Sequence, residues 1–259
     1  MTDRISPSNT ALLPPLATAP AGTDPLYRST RALFLACRAL DLSAMQTAII
    51  DGADAGAKDV RSGHNPLTEF VVAWCRGPSF PDPEPHLDLL ARAGADLSVC
   101  KSKAYYNHPV SYLYSDAHLP LFHALNRRAP VADTMEIKSG HLALMSAFRG
   151  APGLLAACFA NGSYRDPRGH DGGTLLHFAA QHEPYTGGDI LGVFDFLLDA
   201  GLDESVRNNF GQTAMEMCET QLIDINRRSF EAARVRHVAR SLSAKLPEAG
   251  QAGKGGRRL

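Results

Sequence analysis

Charge of one predominant sign is missing from this sequence. Its 259 residues carry 26 Lys and Arg against 27 Asp and Glu, a formal net charge of −1 with a pI of about 6.8. A surface built for nucleic acid or anionic lipid needs a cationic excess, so neither is expected as the main partner. Long apolar runs are missing too. No stretch approaches the roughly 18 residues of a membrane-crossing helix, and no membrane insertion is expected. Cysteine is scarce: the five, at 37, 75, 100, 158 and 218, are odd in number and scattered, four of them in apolar helical contexts. They read as reduced core thiols of a cytoplasmic protein, not as a disulfide frame.

Motifs that carry chemistry are also lacking. There is no Gly-x-Ser-x-Gly and no His-Glu-x-x-His, and Gly187-Gly188-Asp189 and Gly253-Lys254-Gly255-Gly256 lack the strand–loop–helix frame of a phosphate loop. His170, His177 and His182 fall within 13 residues, and His118 and His123 are five apart. Neither group has a Cys or carboxylate at zinc-site spacing, so no metal is expected. Cys100 stands between Val99 and Lys101-Ser102-Lys103, where lysines favour a thiolate, but it has no identifiable catalytic partner. No cofactor and no enzymatic activity are expected.

What is present is a repeated helical pattern, clearest in residues 171–201. Asp171-Gly172 signals a turn, Thr174-Leu175-Leu176-His177-Phe178-Ala179-Ala180 follows, and Leu, Val and Phe then recur at helical spacing up to Gly201. Thr174 and His177, three apart, can bond across a first helical turn and to the preceding loop. Gly201 suits the left-handed turn that ends a helix. The arrangement recurs. Ala32–Cys37, Leu42–Ile50 and Asp51-Gly52-Ala53-Asp54 form a first unit, and Asn65-Pro66-Leu67, Leu87–Ala91 and Gly94-Ala95-Asp96 a second. Leu33 and Leu67 are 34 positions apart, and Ala36–Gly52, Leu113–Ala129 and Ser146–Gly162 each span 16.

This pattern resembles the ankyrin repeat, whose signature is T-P-L-H-x-A in a unit of about 33 residues. The resemblance implies an all-α solenoid of stacked helix–turn–helix units over 29–246, with repeats at about 30–59, 63–97, 107–137, 140–168, 171–205 and 208–246. Repeats three and four are carried by spacing. In repeat three, 108–114 stands at the first helix and 119–125 at the second. In repeat six, Glu216 replaces His after Gly211-Gln212-Thr213. Its last helix, roughly 227–246, carries Phe230, Val235, Val238 and Leu242 as a stripe, interleaved with five arginines. Such a helix covers the end of a solenoid. Trp74, Phe159 and Phe194 read as core. Inserts lie at 76–85 and 184–189.

A non-catalytic protein-binding module, monomeric, is what the resemblance implies. Loops between repeats project as fingers beside a concave groove and contact another protein. The tips fall at 57–64, 99–107, 133–139, 165–170 and 206–210. Residues favoured at interfaces are Tyr105 and Tyr106; Tyr164, Arg165 and Arg168; and Arg207, Asn209 and Phe210. Residues 1–28, with five prolines among Ser, Thr and Ala, read as a disordered leader, and 247–259 as a flexible basic tail. Ala11–Leu16 is too short and proline-broken for a signal-peptide core, although Ala19-Pro20-Ala21 matches a cleavage pattern. One alternative is a bacterial effector secreted into a host cell behind that leader. Another is an enzyme with a loop site at Cys100 or His170–His182.

Overall fold

Among the described residues, most helices come in pairs. In the computed structural model, the residues described are 12–13, 25–59, 62–77, 79–97, 112–129, 142–160, 168–183, 187–220 and 224–245. The helices among them are α1 (Pro25–Ala39), α2 (Leu42–Ile50), α3 (Pro66–Arg76), α4 (Glu84–Arg92), α5 (Leu119–Arg128), α6 (Leu142–Arg149), α7 (Pro152–Ala160), α8 (Leu175–Ala180), α9 (Ile190–Asp199), α10 (Ala214–Thr220) and α11 (Asp224–Lys245).

Short polar side chains start them. Asp41 accepts the Ala44 N–H at 2.9 Å, Asn65 the Thr68 N–H at 2.8 Å, and Asp189 the Gly192 N–H at 2.8 Å. Each satisfies a donor that a first helical turn leaves unpaired. Endings are equally regular. Gly52, Gly94 and Gly201 have φ of 87°, 83° and 82°. After each, an N–H reaches back five positions: Ala53 to the Ala48 carbonyl at 3.0 Å, Ala95 to Leu90 at 2.9 Å, and Leu202 to Leu197 at 3.1 Å. This left-handed stop is open to glycine at no steric cost. Leu40, with φ of 56°, makes the same stop after α1.

The chain divides into two compact bodies, Met1–Ala143 with Ala156–Arg165 and Leu144–Leu155 with Asp166–Leu259. In the first, α1 packs on α2 and α3, α2 on α4, and α4 on α5. First helices therefore meet first helices, and second meet second. Leu33, Phe34, Phe70 and Trp74 are wholly buried there, each contributing roughly 1.5–3 kcal/mol of transfer free energy. In the second body α8 packs on α10 and α9 on α11 by the same rule. Phe194 and Phe230 stack at its centre, ring centroids 4.5 Å apart and planes 4° from parallel.

The described parts of both inserts are tied down. Arg76 ends α3 while Glu84 and Pro85 open α4, so 77–83 make the connection. Phe80 lies on Trp74 at 4.8 Å, and the Pro81 carbonyl accepts the Trp74 indole N–H at 2.8 Å. In the second insert the Asp189 N–H bonds the Gly150 carbonyl at 2.7 Å. A Cβ on Gly188 would lie 2.1 Å from the Arg149 carbonyl oxygen. Only glycine permits that approach of two backbones.

Four details differ from the sequence expectation. Helix α1 opens at Pro25, inside the stretch read as a leader, and Leu12–Leu13 form a short strand, β1, parallel to β2 (Lys58–Asp59). Composition reports low burial potential and says nothing of an open backbone edge. In repeat three, Leu113 and Tyr114 lie outside any helix, while 108–111 are outside the described residues. The Tyr114 N–H is taken by His118 Nδ1 at 3.2 Å, and Ser115, in extended backbone, caps a 3-10 turn at Asp116–His118. Phe159 is half-buried, not core.

The fourth is α11. Phe230 is buried, but Val235, Val238 and Leu242 are 70%, 55% and 60% exposed. Five residues of helix rotate by roughly 140°, so Phe230 and Val235 do not share a face. The face that follows Phe230 toward α9 is polar instead. Arg236 bonds Asp195 at 2.9 Å, His237 bonds Asp199 at 2.9 Å, and Arg240 bonds Asp195 and Asp199 at 3.1 and 2.9 Å. Among the described residues, no helix is long and apolar enough to cross a membrane.

Candidate functional site

The finger turns among the described residues close in one way. The Asp59 N–H meets the His64 carbonyl at 2.8 Å, the Gly169 N–H the Gly173 carbonyl at 2.8 Å, and the Asn208 N–H the Gln212 carbonyl at 2.9 Å. Gly63, Gly172 and Gly211 hold the turns with φ of 68°, 72° and 76°. Aligned by those bonds, Lys58, Arg168 and Arg207 occupy one position, just before the turn, and all three are exposed. Lys58 lies within the 57–64 tip but is not of an interface-favoured type, and the Asp59–His64 turn is one residue longer than the other two. Counting back from Gly63, Gly172 and Gly211 with that offset would have found it.

The finger at 206–212 is the most completely organised. Asn208 Oδ1 accepts the N–H groups of Phe210 and Gln212, each at 3.0 Å. Arg207 bonds the Gly211 carbonyl and forks onto Glu216 at 2.8 and 3.1 Å. Glu216 in turn accepts the Thr213 N–H at 2.8 Å and Thr213 Oγ1 accepts the Glu216 N–H at 3.2 Å, a reciprocal cap. The Thr213 N–H, with Arg207, holds the Glu216 carboxyl below its usual range. Phe210 stands at the tip, 75% exposed. Asn209 joins this finger to the preceding one: its N–H bonds the Asp171 carbonyl at 2.8 Å, and its side chain lies where a Cβ on Gly172 would be. Arg168 reaches the Gly172 carbonyl at 3.4 Å. Tyr105, Tyr106, Tyr164 and Arg165 lie outside the described residues, as do Cys100 and the tips at 99–107 and 133–139.

Behind the turns, the histidine of the T-x-x-H pair is buried. His177 Nδ1 takes the Thr174 N–H at 3.1 Å and Oγ1 at 2.9 Å. Its Nε2 bonds the Gln212 carbonyl at 2.9 Å, so it reaches forward to the next finger and not to the preceding loop. His182 Nδ1 bonds the Phe148 carbonyl at 2.9 Å. Among the described residues, no three His, Cys, Asp or Glu side chains converge as a metal site would require.

In the first body a buried carboxylate organises the finger base. Glu69 accepts from Arg38 at 2.7 and 3.1 Å and from His64 Nδ1 at 2.9 Å, and His64 Nε2 faces the Tyr112 hydroxyl at 3.4 Å. Burial pushes the Glu69 pKa up, but the His64 and Arg38 bonds outweigh it and hold the carboxyl at about 2. His118 is pushed down by burial, with a bond to the Cys75 backbone offsetting part of the effect. Burial drives the thiols of Cys75, Cys158 and Cys218 up to about 12, and that of Cys37 higher still.

No protein-family model matches this sequence, and no curated protein is similar to it. Solved structures are. An ankyrin repeat domain from Acinetobacter baumannii AYE matches with a TM-score of 0.58 at 17% identity, over 78% of this chain and 96% of that one. A chain in the complex of the predatory endopeptidase Bd0816 from Bdellovibrio bacteriovorus with the immunity protein Bd3460 also gives 0.58 at 17% identity, over 78% and 97%. Such identity speaks to fold alone. It agrees with the paired helices, the left-handed glycine stops and the buried Thr174–His177 pair: the fold of this chain is that of an ankyrin repeat domain.

Proposed function

We propose that the chain is a non-catalytic protein-binding module that recognises a partner protein through its finger turns and the adjoining first-helix face. The observation that carries this is Phe210, 75% exposed at the tip of a turn whose N–H groups, glycine and flanking arginine are all bonded. A large aromatic held rigid in water loses little conformational freedom on binding and makes a good anchor. Arg168 and Arg207 beside the turns supply the guanidinium groups that interfaces favour. Asn209 adds to this surface, and Tyr105, Tyr106, Tyr164 and Arg165, outside the described residues, are proposed as further partner-contacting positions. That a chain of this fold occurs in an endopeptidase–immunity protein complex supports protein recognition as the activity class.

The test pairs two measurements on Phe210→Ala and Arg168→Glu. Each variant is scored by thermal melt and by affinity capture, with the wild-type chain as reference bait. Melts near wild type with loss of the captured partner support the fingers as the binding surface; unchanged capture by both variants removes them from it.

A further inference from the structure

The first finger differs from the other two described in what lies along its outer edge. A strand turns the N–H and C=O groups of successive residues alternately to its two sides. At Asp59 both groups face into the turn, the N–H to the His64 carbonyl at 2.8 Å and the carbonyl to the Gly63 N–H at 2.7 Å. The N–H and C=O of Lys58 therefore face the opposite way. There Leu12–Leu13 run parallel to Lys58–Asp59, Leu12 opposite Lys58 and Leu13 opposite Asp59.

The edge is built without the strand that covers it. Asp59 and Ala57, on either side of Lys58, are buried, whereas Lys58 is exposed. Asp59 Oδ1 also takes the Ser62 N–H at 2.9 Å, and the Ala57 N–H bonds the Asp54 carbonyl at 3.3 Å. Lys58 is thus presented on a backbone fixed from within the finger. An open, preformed edge is a template for an added strand, recognised by main-chain bonds more than by sequence. Leu12–Leu13 pair over two residues only, and residues 14–24 connect them to α1. Covalent attachment raises the local concentration of such a segment at the edge, which favours even so short a ladder.

We infer that the outer edge at Lys58–Asp59 is a docking edge for an extended peptide strand, and that the chain fills it with its own Leu12–Leu13, which an incoming strand must displace. The N-terminal segment then regulates access to the first finger. This holds whether or not Phe210 anchors a partner, because the probe that tests it is the chain's own segment and Phe210 takes no part.

The experiment uses the full chain and a fluorescein-labelled peptide of residues 5–20, with binding read by fluorescence anisotropy. In parallel pairing the outward carbonyl of Lys58 accepts the N–H of the residue after its partner, that of Leu13. Leu13→Pro in the protein removes that donor and frees the edge. The variant should bind the peptide at least tenfold more tightly than wild type, with its melt unchanged, and a peptide carrying the same Leu13→Pro change should not bind. If Leu13→Pro lowers the melt, Leu12→Gly/Leu13→Gly is read instead, with a smaller gain of the same sign. Either of two results overturns the inference: no gain in affinity from freeing the segment, or equal binding of the wild-type and proline peptides. A lowered melt with no gain in peptide binding would make β1 a structural cap only.

Discussion

His177 Nε2 holds the backbone carbonyl of Gln212 at 2.9 Å, across 35 residues of chain. The Thr174 N–H donates to Nδ1, so Nδ1 is bare and the proton sits on Nε2, the nitrogen that faces Gln212. One side chain thus caps α8 and ties the fifth repeat to the finger that opens the sixth. His177→Ala leaves the buried Thr174 N–H without its partner and takes one bond from the Gln212 carbonyl, which keeps the Asn208 N–H. The expected loss is on the order of 1–3 kcal/mol in urea unfolding, with the zinc content of purified protein unchanged.

The two faces of α9 and α11 should respond oppositely to truncation. Leu197 is wholly buried and Leu198 is 6% exposed. Leu197→Ala should cost roughly 2–5 kcal/mol, and Leu198→Ala should fall toward the lower end of that range. Val238→Ala, on the outward face of α11, should stay within about 0.5 kcal/mol. Equal losses at Leu197 and Val238 would mean that α11 docks by the Val235–Leu242 stripe after all.

Acid stability should depend on Glu69. Its carboxyl is held at about 2, below its ordinary 4.5. The folded state therefore gains from ionised Glu69 fully above pH ~4.5, and that gain disappears as pH falls toward 2. The sign is a loss of stability on acidification, of about 2–3 kcal/mol over this window. Stability curves of wild type and Glu69→Gln should converge below pH ~2.5 and diverge above ~4.5. Parallel curves through the whole range would remove Glu69 from the acid limb.

Thiol chemistry should be slow in the native state. With pKa near 12 instead of 9.0, Cys75, Cys158 and Cys218 hold about a thousandfold less thiolate at a given pH. Iodoacetamide at pH 8 should leave these three and Cys37 unlabelled in folded protein and label all four after denaturation, as peptide mass spectrometry would show. Rapid native labelling at any of them would mean local opening of its helix.

Much of the fold was legible because ankyrin-type order is local. Asn65 and Asp189 start helices, and Gly52, Gly94 and Gly201 stop them, through bonds that close within five residues. Thr174 and His177 also meet within one helical turn. The finger candidates were legible only in part. The turn positions of Arg168, Arg207, Asn209 and Phe210 follow from residue type and spacing, whereas the equivalent position of Lys58 depends on a backbone bond that residue type does not report.

What the amino-acid order determined by itself, then, was the beat of paired helices, their capping and their turns, each set by residues near in sequence. Tertiary structure alone decided which neighbour each face would meet. Glu69 is buried because Arg38, 31 residues away, and His64 both reach it. α11 turns Arg236 and Arg240 toward α9, where Asp195 and Asp199 receive them at the surface, and Val235, Val238 and Leu242 are left to solvent. Leu12–Leu13 find a strand partner because the Asp59–His64 turn leaves the Lys58 edge unfilled. The reason is the same in each case. A side chain's periodicity reports how its own helix is polarised, whereas burial and charge pairing are settled only by the atoms that a distant segment brings against it.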